Sequence, residues 1–111
     1  MKISKKDLLR INMGFGGSLG SSSSIDYAID MQQNKKLGPY KKLAYLWRAI
    51  LVDHPFSDGN KRIAAFVAFA FADEHKKQVD RDLLLHQIVS IAKKNITDIR
   101  QIELRLKNAI R

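Results

Sequence analysis

Residues 54–72 read His-Pro-Phe-Ser-Asp-Gly-Asn-Lys-Arg-Ile-Ala-Ala-Phe-Val-Ala-Phe-Ala-Phe-Ala, a polar loop that leads into an almost continuous apolar segment. Pro55 disfavours the α conformation at the residue before it, so a preceding helix must end near His54. From Asn60 onward the segment predicts a long helix. Because that helix is apolar nearly all round, we expect it to run through the middle of the fold.

Apolar residues recur at helical spacing on both sides of this segment. Ser4 and Asp7 resemble a capping box, and Pro39 suits the first turn of a helix. Further helices are predicted over residues 5–11, from 23 or 24, from 39 to near 54, over 83–92, and after 97 or 98. No segment alternates as a strand of useful length would. The predicted fold class is therefore all-α, a compact helical bundle around a buried central helix.

Residues 14–24 contain four glycines and five serines, the one low-complexity stretch of the chain. Such backbone lacks strong local preferences. We predict a flexible flap or a small β-hairpin near residues 12–22.

The size and composition of the chain fit one domain over residues 1–111. There is no cysteine to form disulfides or thiolate metal sites. Neither a signal peptide nor an apolar run long enough to span a bilayer is evident, so a cytoplasmic protein with no membrane partner is expected. The net charge of +9 is scattered largely as Lys-Lys pairs, which are usually solvated faces.

The loop between the two most apolar helices concentrates side chains with chemical uses. Gly59 permits a positive φ, and the amides after it open a helix, where an anion is favoured. Arg62 offers a planar cationic fork, and Asp58 a hard oxygen ligand. His54 can take a proton from a hydroxyl near neutral pH. By residue type alone, a simple turn followed by an asparagine cap is an equally good interpretation.

The order of these residues separates the two interpretations. His54 to Arg62 resembles the His-x-Phe-x-Asp-Gly-Asn-Lys-Arg signature of the Fic/Doc family at every specified position. The resemblance implies a helical enzyme that transfers a phosphate-containing group from ATP to a Ser or Thr hydroxyl of a target protein.

The resemblance also implies a role for each position. His54 would be the catalytic base, Asp58 would hold Mg²⁺, and Phe56 would anchor the loop in the core. The phosphates of the nucleotide would be held by Gly59, Asn60, Lys61 and Arg62. A flap that docks the target would include Gly16, Gly17, Ser18 and Leu19.

Two positions resemble the Doc branch, whose members act as protein kinases and as toxins paired with antitoxins. Lys61 replaces the second glycine of the Fic branch, and Ala65 replaces its second arginine. Phosphoryl transfer is therefore preferred, and the absence of a convincing inhibitory Ser/Thr-x-x-x-Glu-Gly/Asn motif favours a separate antitoxin protein. Gly59, where Doc relatives often carry Ala, keeps adenylyl transfer (AMPylation) open as an alternative.

A different class of function is a small basic helical module that binds nucleic acid. The two predicted helices within residues 82–110 loosely resemble a helix-turn-helix. The second of them shows no pattern of base-reading side chains on its outer face, so a nucleic-acid partner is the less favoured hypothesis. A catalytically silent relative is a further alternative, against which the intact motif argues.

Overall fold

The computed structural model describes residues 3–14, 23–54 and 59–111. In this part of the chain six helices follow one another and no strand is present. The helices are α1 (Lys5–Gly14), α2 (Ser23–Gln32), α3 (Pro39–Leu51), α4 (Asn60–Glu74), α5 (Arg81–Lys94) and α6 (Ile99–Ala109). The radius of gyration, 12.6 Å, is close to the ~13 Å of a globular chain of this length. The all-α prediction is confirmed for the described residues.

Local sequence signals account for where several helices begin. Pro39 occupies the start of α3, with Gly38 as its N-cap. Asp80 caps α5 by accepting a hydrogen bond from the Leu83 amide, and Asp98 caps α6 in the same way through the amides of residues 100 and 101. These caps satisfy amides that have no acceptor within the helix.

The predicted capping box of α1 is present in both directions. The Ser4 amide donates to the Asp7 carboxylate over 2.9 Å, and the Asp7 amide donates to the Ser4 hydroxyl over 3.1 Å. The helix is longer than predicted, since it continues beyond residue 11 to Gly14. Residues 12–14 therefore belong to α1 and not to a hairpin, because the helix-weakening glycines begin only at Gly14. The rest of the predicted flap, residues 15–22, lies outside the described residues.

The central position is taken by α3, which packs against α2, α4, α5 and α6. The prediction that α4 runs through the middle was wrong. One face of α4 is open to solvent, where Phe66 is half-exposed and Ala70 is exposed. Continuous apolarity misled the prediction because alanines add apolar positions without requiring burial. The core joins all six helices through residues such as Leu8, Ile25, Leu46, Val67, Ile88 and Leu106.

One isolated antiparallel bridge pairs Val79 with Ile110 and ties the segment before α5 to the end of α6. The Tyr40 hydroxyl at the start of α3 donates to the Ile110 carbonyl over 2.7 Å. None of the helices in the described ranges combines the length and hydropathy that crossing a bilayer requires.

Candidate active site

The candidate site lies where the end of α3 faces the start of α4. Helix α3 ends at Leu51, and its C-cap residue Val52 still donates to the Arg48 carbonyl. His54 follows two residues later, exposed and with a φ of 47°. The prediction that Pro55 removes His54 from the right-handed helical region is confirmed. Its side chain is thus attached to the end of the central helix and is not part of the core.

Gly59 forms the entrance to α4. Its φ of 79° and ψ of 9° lie in the left-handed region, which strains any residue with a Cβ. Gly59 is buried, and its carbonyl accepts the first hydrogen bond of the helix, from the Ile63 amide at 2.9 Å. Asn60 is the first residue of α4 and not its cap, so the interpretation of Asn60 as a simple cap was wrong.

The first turn of α4 concentrates positive charge. It contains no acidic residue, and it carries Lys61 and Arg62, both of them exposed. The amides of a first helical turn precede the hydrogen-bond ladder and give the N-terminus a partial positive charge. By contrast, α1, α2 and α5 each place an aspartate in the first turn, and α6 begins with an aspartate cap. Like α4, helix α3 lacks a first-turn acid, but no histidine or left-handed glycine precedes it.

A buried hydrogen bond fixes the two helices on either side of the loop. The Nε1 atom of Trp47, in the last turns of α3, donates to the Ala64 carbonyl in the second turn of α4 over 3.0 Å. Trp47 is fully buried. The sequence interpretation of Trp47 as a core residue is therefore confirmed, but its polar contact with α4 was not predicted.

For two motif residues and for the flap, the assigned roles remain predictions. Phe56 and Asp58 fall in residues 55–58, and the flap residues Gly16, Gly17, Ser18 and Leu19 fall in residues 15–22, both outside the described ranges. Among the residues that the structure describes, His54 lies at one end of the loop and residues 59–62 lie at the other. His75 and His86 are remote from it in α4's C-cap and in α5.

A cleft that the sequence interpretation missed adjoins the site. It has a volume of about 460 Å³ and lies between the start of α2 and the C-terminal half of α3. Its lining residues are Ser23, Ser24, Tyr27, Tyr45, Arg48, Ala49 and Asp53. The signal available in the sequence was the pair Tyr45 and Arg48, which share one face of a helix at i, i+3 spacing. We call it the α2–α3 cleft.

Comparison of the sequence with known protein families gave a match that covers this site. A family model described as "Fic/DOC family" matches residues 16–72, just over half of the chain. The chain belongs to the Fic/DOC family. The match covers α2, α3, the loop, and α4 as far as Ala72. No curated protein and no solved structure gave a significant match to this Fic/DOC chain.

Membership implies the general class of activity. Fic/DOC proteins are generally transferases that move a nucleotide-derived group to proteins. Helices α1, α5 and α6 lie outside the matched residues. Of these, α6 packs extensively on α3. A part of the chain that the family model does not match therefore supports the helix that precedes His54.

Proposed function

We propose that this chain is a protein kinase of the Doc-like branch, which moves the terminal phosphoryl group of ATP to a Ser or Thr hydroxyl of a target protein. The observation that carries the proposal is the start of α4. There a left-handed glycine, first-turn amides and two exposed cations converge at the positive end of a helix. The helix dipole and the charges of Lys61 and Arg62 all favour an anion at this position. A polyphosphate supplies such an anion.

Each residue then has one task in the reaction. The His54 imidazole accepts the proton of the target hydroxyl as its oxygen attacks the γ-phosphorus. The bond from that phosphorus to the β,γ-bridging oxygen breaks, and ADP leaves. The amides of residues 59–61 and the Arg62 guanidinium hold the phosphate oxygens and stabilise the developing charge. Positioning and electrostatic stabilisation of this kind are the main contributions of a protein to phosphoryl transfer.

Magnesium is the proposed metal, with Asp58 as its protein ligand. Among residues 3–14, 23–54 and 59–111 there is no cluster of three or more His, Cys, Asp or Glu side chains that could hold a metal by itself. Mg²⁺ commonly needs only one or two carboxylates together with substrate phosphates and water, so the motif carboxylate is a sufficient donor. When bound, the ion neutralises charge on the phosphate oxygens.

The preference for phosphoryl over adenylyl transfer rests on two positions of α4. Lys61 adds a charge and a side chain where the Fic branch has glycine, which fills a phosphate subsite. Ala65 is half-buried against the core and offers no second guanidinium to a triphosphate. Gly59 is the feature that favours adenylyl transfer, in which the same hydroxyl attacks the α-phosphorus and pyrophosphate leaves.

The proposal includes two protein partners. The target presents its acceptor segment along the flap at Gly16, Gly17, Ser18 and Leu19, by strand addition. A separate antitoxin protein inhibits the enzyme, and the basic surface of the chain suits an acidic segment of such a protein.

Labelled ATP tests the proposal directly. The protein is incubated with a cell lysate, Mg²⁺ and ATP that carries its label at either the α- or the γ-phosphorus. Label from the γ position on a protein Ser or Thr supports phosphoryl transfer. Label from the α position shows adenylyl transfer instead. No incorporation beyond that of a His54→Ala control, with either label, would reject both reactions.

A further inference from the structure

The ends of the α2–α3 cleft are adjacent in sequence to the two segments to which the proposed function assigns the acceptor. Ser23 and Ser24, at its α2 end, directly follow the predicted flap, and Asp53, at its α3 end, directly precedes His54. A peptide that places a hydroxyl at His54 therefore lies beside the Asp53 end of this cleft.

Arg48 is the cation of the cleft, and two contacts hold its guanidinium in place. The Cζ atom lies 5.1 Å from the centre of the Tyr45 ring, a cation–π distance. Its Nη1 donates to the Thr97 carbonyl, before α6, over a long 3.4 Å. The Tyr45 ring in turn packs edge to face on Tyr27, with 5.9 Å between the ring centres. A guanidinium restrained in this way loses little freedom when it binds a ligand.

The chemistry of the lining favours a carboxylate. Arg48 has five N–H donors, of which Thr97 engages one, and a planar fork of this kind matches a carboxylate in two-point contact. Ser23 and Ser24, which line the cleft at the start of α2, supply two hydroxyl groups that can donate to the same ligand. Asp53 is the acidic residue of the lining, at the His54 end, so the Arg48 end is the one suited to an anion.

The distance from Arg48 to His54 limits how far, along the target peptide, the residue that Arg48 binds can lie from the Ser or Thr that is modified. Arg48 and His54 are six residues apart along the end of a helix and a short turn, so their Cα atoms lie within about 15 Å. An extended peptide advances ~3.3 Å per residue. Resting on the proposed function, we infer that Arg48 selects targets with an acidic side chain within roughly four residues of the modified Ser or Thr. Arg48 is thus a specificity-determining residue and not a catalytic one.

Peptide binding without nucleotide tests the inference independently of catalysis. The probes are short synthetic peptides with one central Ser among Ala residues and one Glu placed at each position in turn. Each has a counterpart with Gln in place of Glu. Binding is followed by amide chemical shifts in isotope-labelled protein. We expect the best Glu peptide to bind roughly tenfold more tightly than its Gln counterpart, with shifts at Tyr45 and Arg48.

Arg48→Gln should abolish that preference. Arg81→Gln is the matched control, because the Arg81 guanidinium also lies over an aromatic ring, 5.4 Å from the centre of Phe69, but at the start of α5. Arg81→Gln should keep the preference. Arg48→Lys keeps the charge without the planar fork and should retain only part of the preference for Glu over Gln. If Arg48→Gln does not fold, the Arg48→Lys variant serves as the test. Equal binding of Glu and Gln peptides, or a preference that survives in Arg48→Gln, would overturn the inference.

The same peptides with labelled ATP separate this inference from the proposed function. Label transfer with no preference for Glu would overturn the role of Arg48 and leave the transferase intact. Absence of transfer to any peptide or lysate protein, together with an Arg48-dependent preference in binding, would reject the proposed function and keep the carboxylate site. If ADP, and not the peptides, shifts the cleft amides, the cleft belongs to the nucleotide and the inference fails.

Discussion

The indole nitrogen of Trp47 donates to the carbonyl oxygen of Ala64 over 3.0 Å, in the buried contact between α3 and α4. Trp47 lies about one turn before α3 ends, and Ala64 lies about one turn after α4 begins. The bond therefore fixes the spacing and rotation of the two helices whose ends carry His54 and Gly59. A loop that joins two helices held in this way has both of its ends anchored on rigid elements.

Trp47→Phe is expected to lower the free energy of unfolding by about 1–2 kcal/mol, through the lost hydrogen bond and a small cavity. It should also slow transfer several-fold, because the helix ends lose their fixed alignment. Tyr40→Phe is the matched control, since it removes one aromatic hydrogen bond, to the Ile110 carbonyl, at the opposite end of α3. Urea unfolding followed by circular dichroism measures stability in both. Equal loss of transfer in the two variants would refute the alignment role of Trp47.

His54→Ala should abolish transfer and leave the fold intact. The side chain is exposed and lies after the end of α3, so its removal leaves no cavity. Loss of a catalytic base typically lowers a rate by about 10²–10⁴-fold. His86→Ala, at an exposed position of α5, is the control and should retain full activity. Transfer by His54→Ala at the parent rate would show that the imidazole is not the base.

Gly59→Ala is expected to destabilise the protein by about 1–2 kcal/mol, because a Cβ is unfavourable at a φ of 79°. The control is Gly38→Ala. Gly38 has a φ of −71°, and a Cβ there would meet no atom within 4 Å. We expect that change to stay within roughly 0.5 kcal/mol of the parent, since the loss of chain entropy in the unfolded state offsets a poorer N-cap. Equal effects in chemical denaturation would argue against a backbone conformation at Gly59 that requires glycine.

Lys61→Gly should shift the donor position from the γ- towards the α-phosphorus. The change removes the side chain that we propose to fill a phosphate subsite, and it restores the Gly-Asn-Gly-Arg order of the Fic branch. The measurement is the ratio of α- to γ-label on protein under matched conditions. Lys93→Gly, in the last turn of α5, controls for the loss of one exposed lysine and the introduction of a helical glycine. An unchanged ratio would remove Lys61 as the determinant of the reaction.

Acidification should fray α1 before the rest of the protein unfolds. The backbone amide and then the hydroxyl of Ser4 bond to Asp7 and hold the pKa of its carboxyl below the ordinary 3.8. Because the pKa of Asp7 is depressed in the folded state, the stabilisation that its bonds with Ser4 give to α1 is fully present above the ordinary value, about pH 3.8. It is lost as the pH falls through the depressed value. The protection factors of the α1 amides, which are corrected for the intrinsic pH dependence of exchange, should therefore fall as the carboxyl of Asp7 is protonated. Asp7→Asn should remove this fall. If the protection factors of the α1 amides in the parent protein do not change as Asp7 is protonated, the proposed link between this carboxyl and the stability of α1 is wrong.

Much of the fold was predictable from the sequence because its signals are local. Pro39 and Asp98 mark helix starts through backbone chemistry that involves only neighbouring residues. Gly59 signalled a positive φ, and Pro55 signalled that His54 leaves the helix. The order of residues 54–62 determined the family, since a motif is a property of the chain alone.

Tertiary structure decided which helix is central and which polar groups meet. The apolar sequence of α4 favoured it as the central helix. In the structure α3 packs against more helices than α4 does, and α4 leaves Phe66 half-exposed. Trp47 donates to Ala64, and Tyr27 and Arg48 line one cleft. The proximity of the residues in each pair depends on how whole helices pack. Periodicity defines the apolar face of a helix but does not determine which neighbour covers it, because that choice minimises the exposed surface of all six helices together.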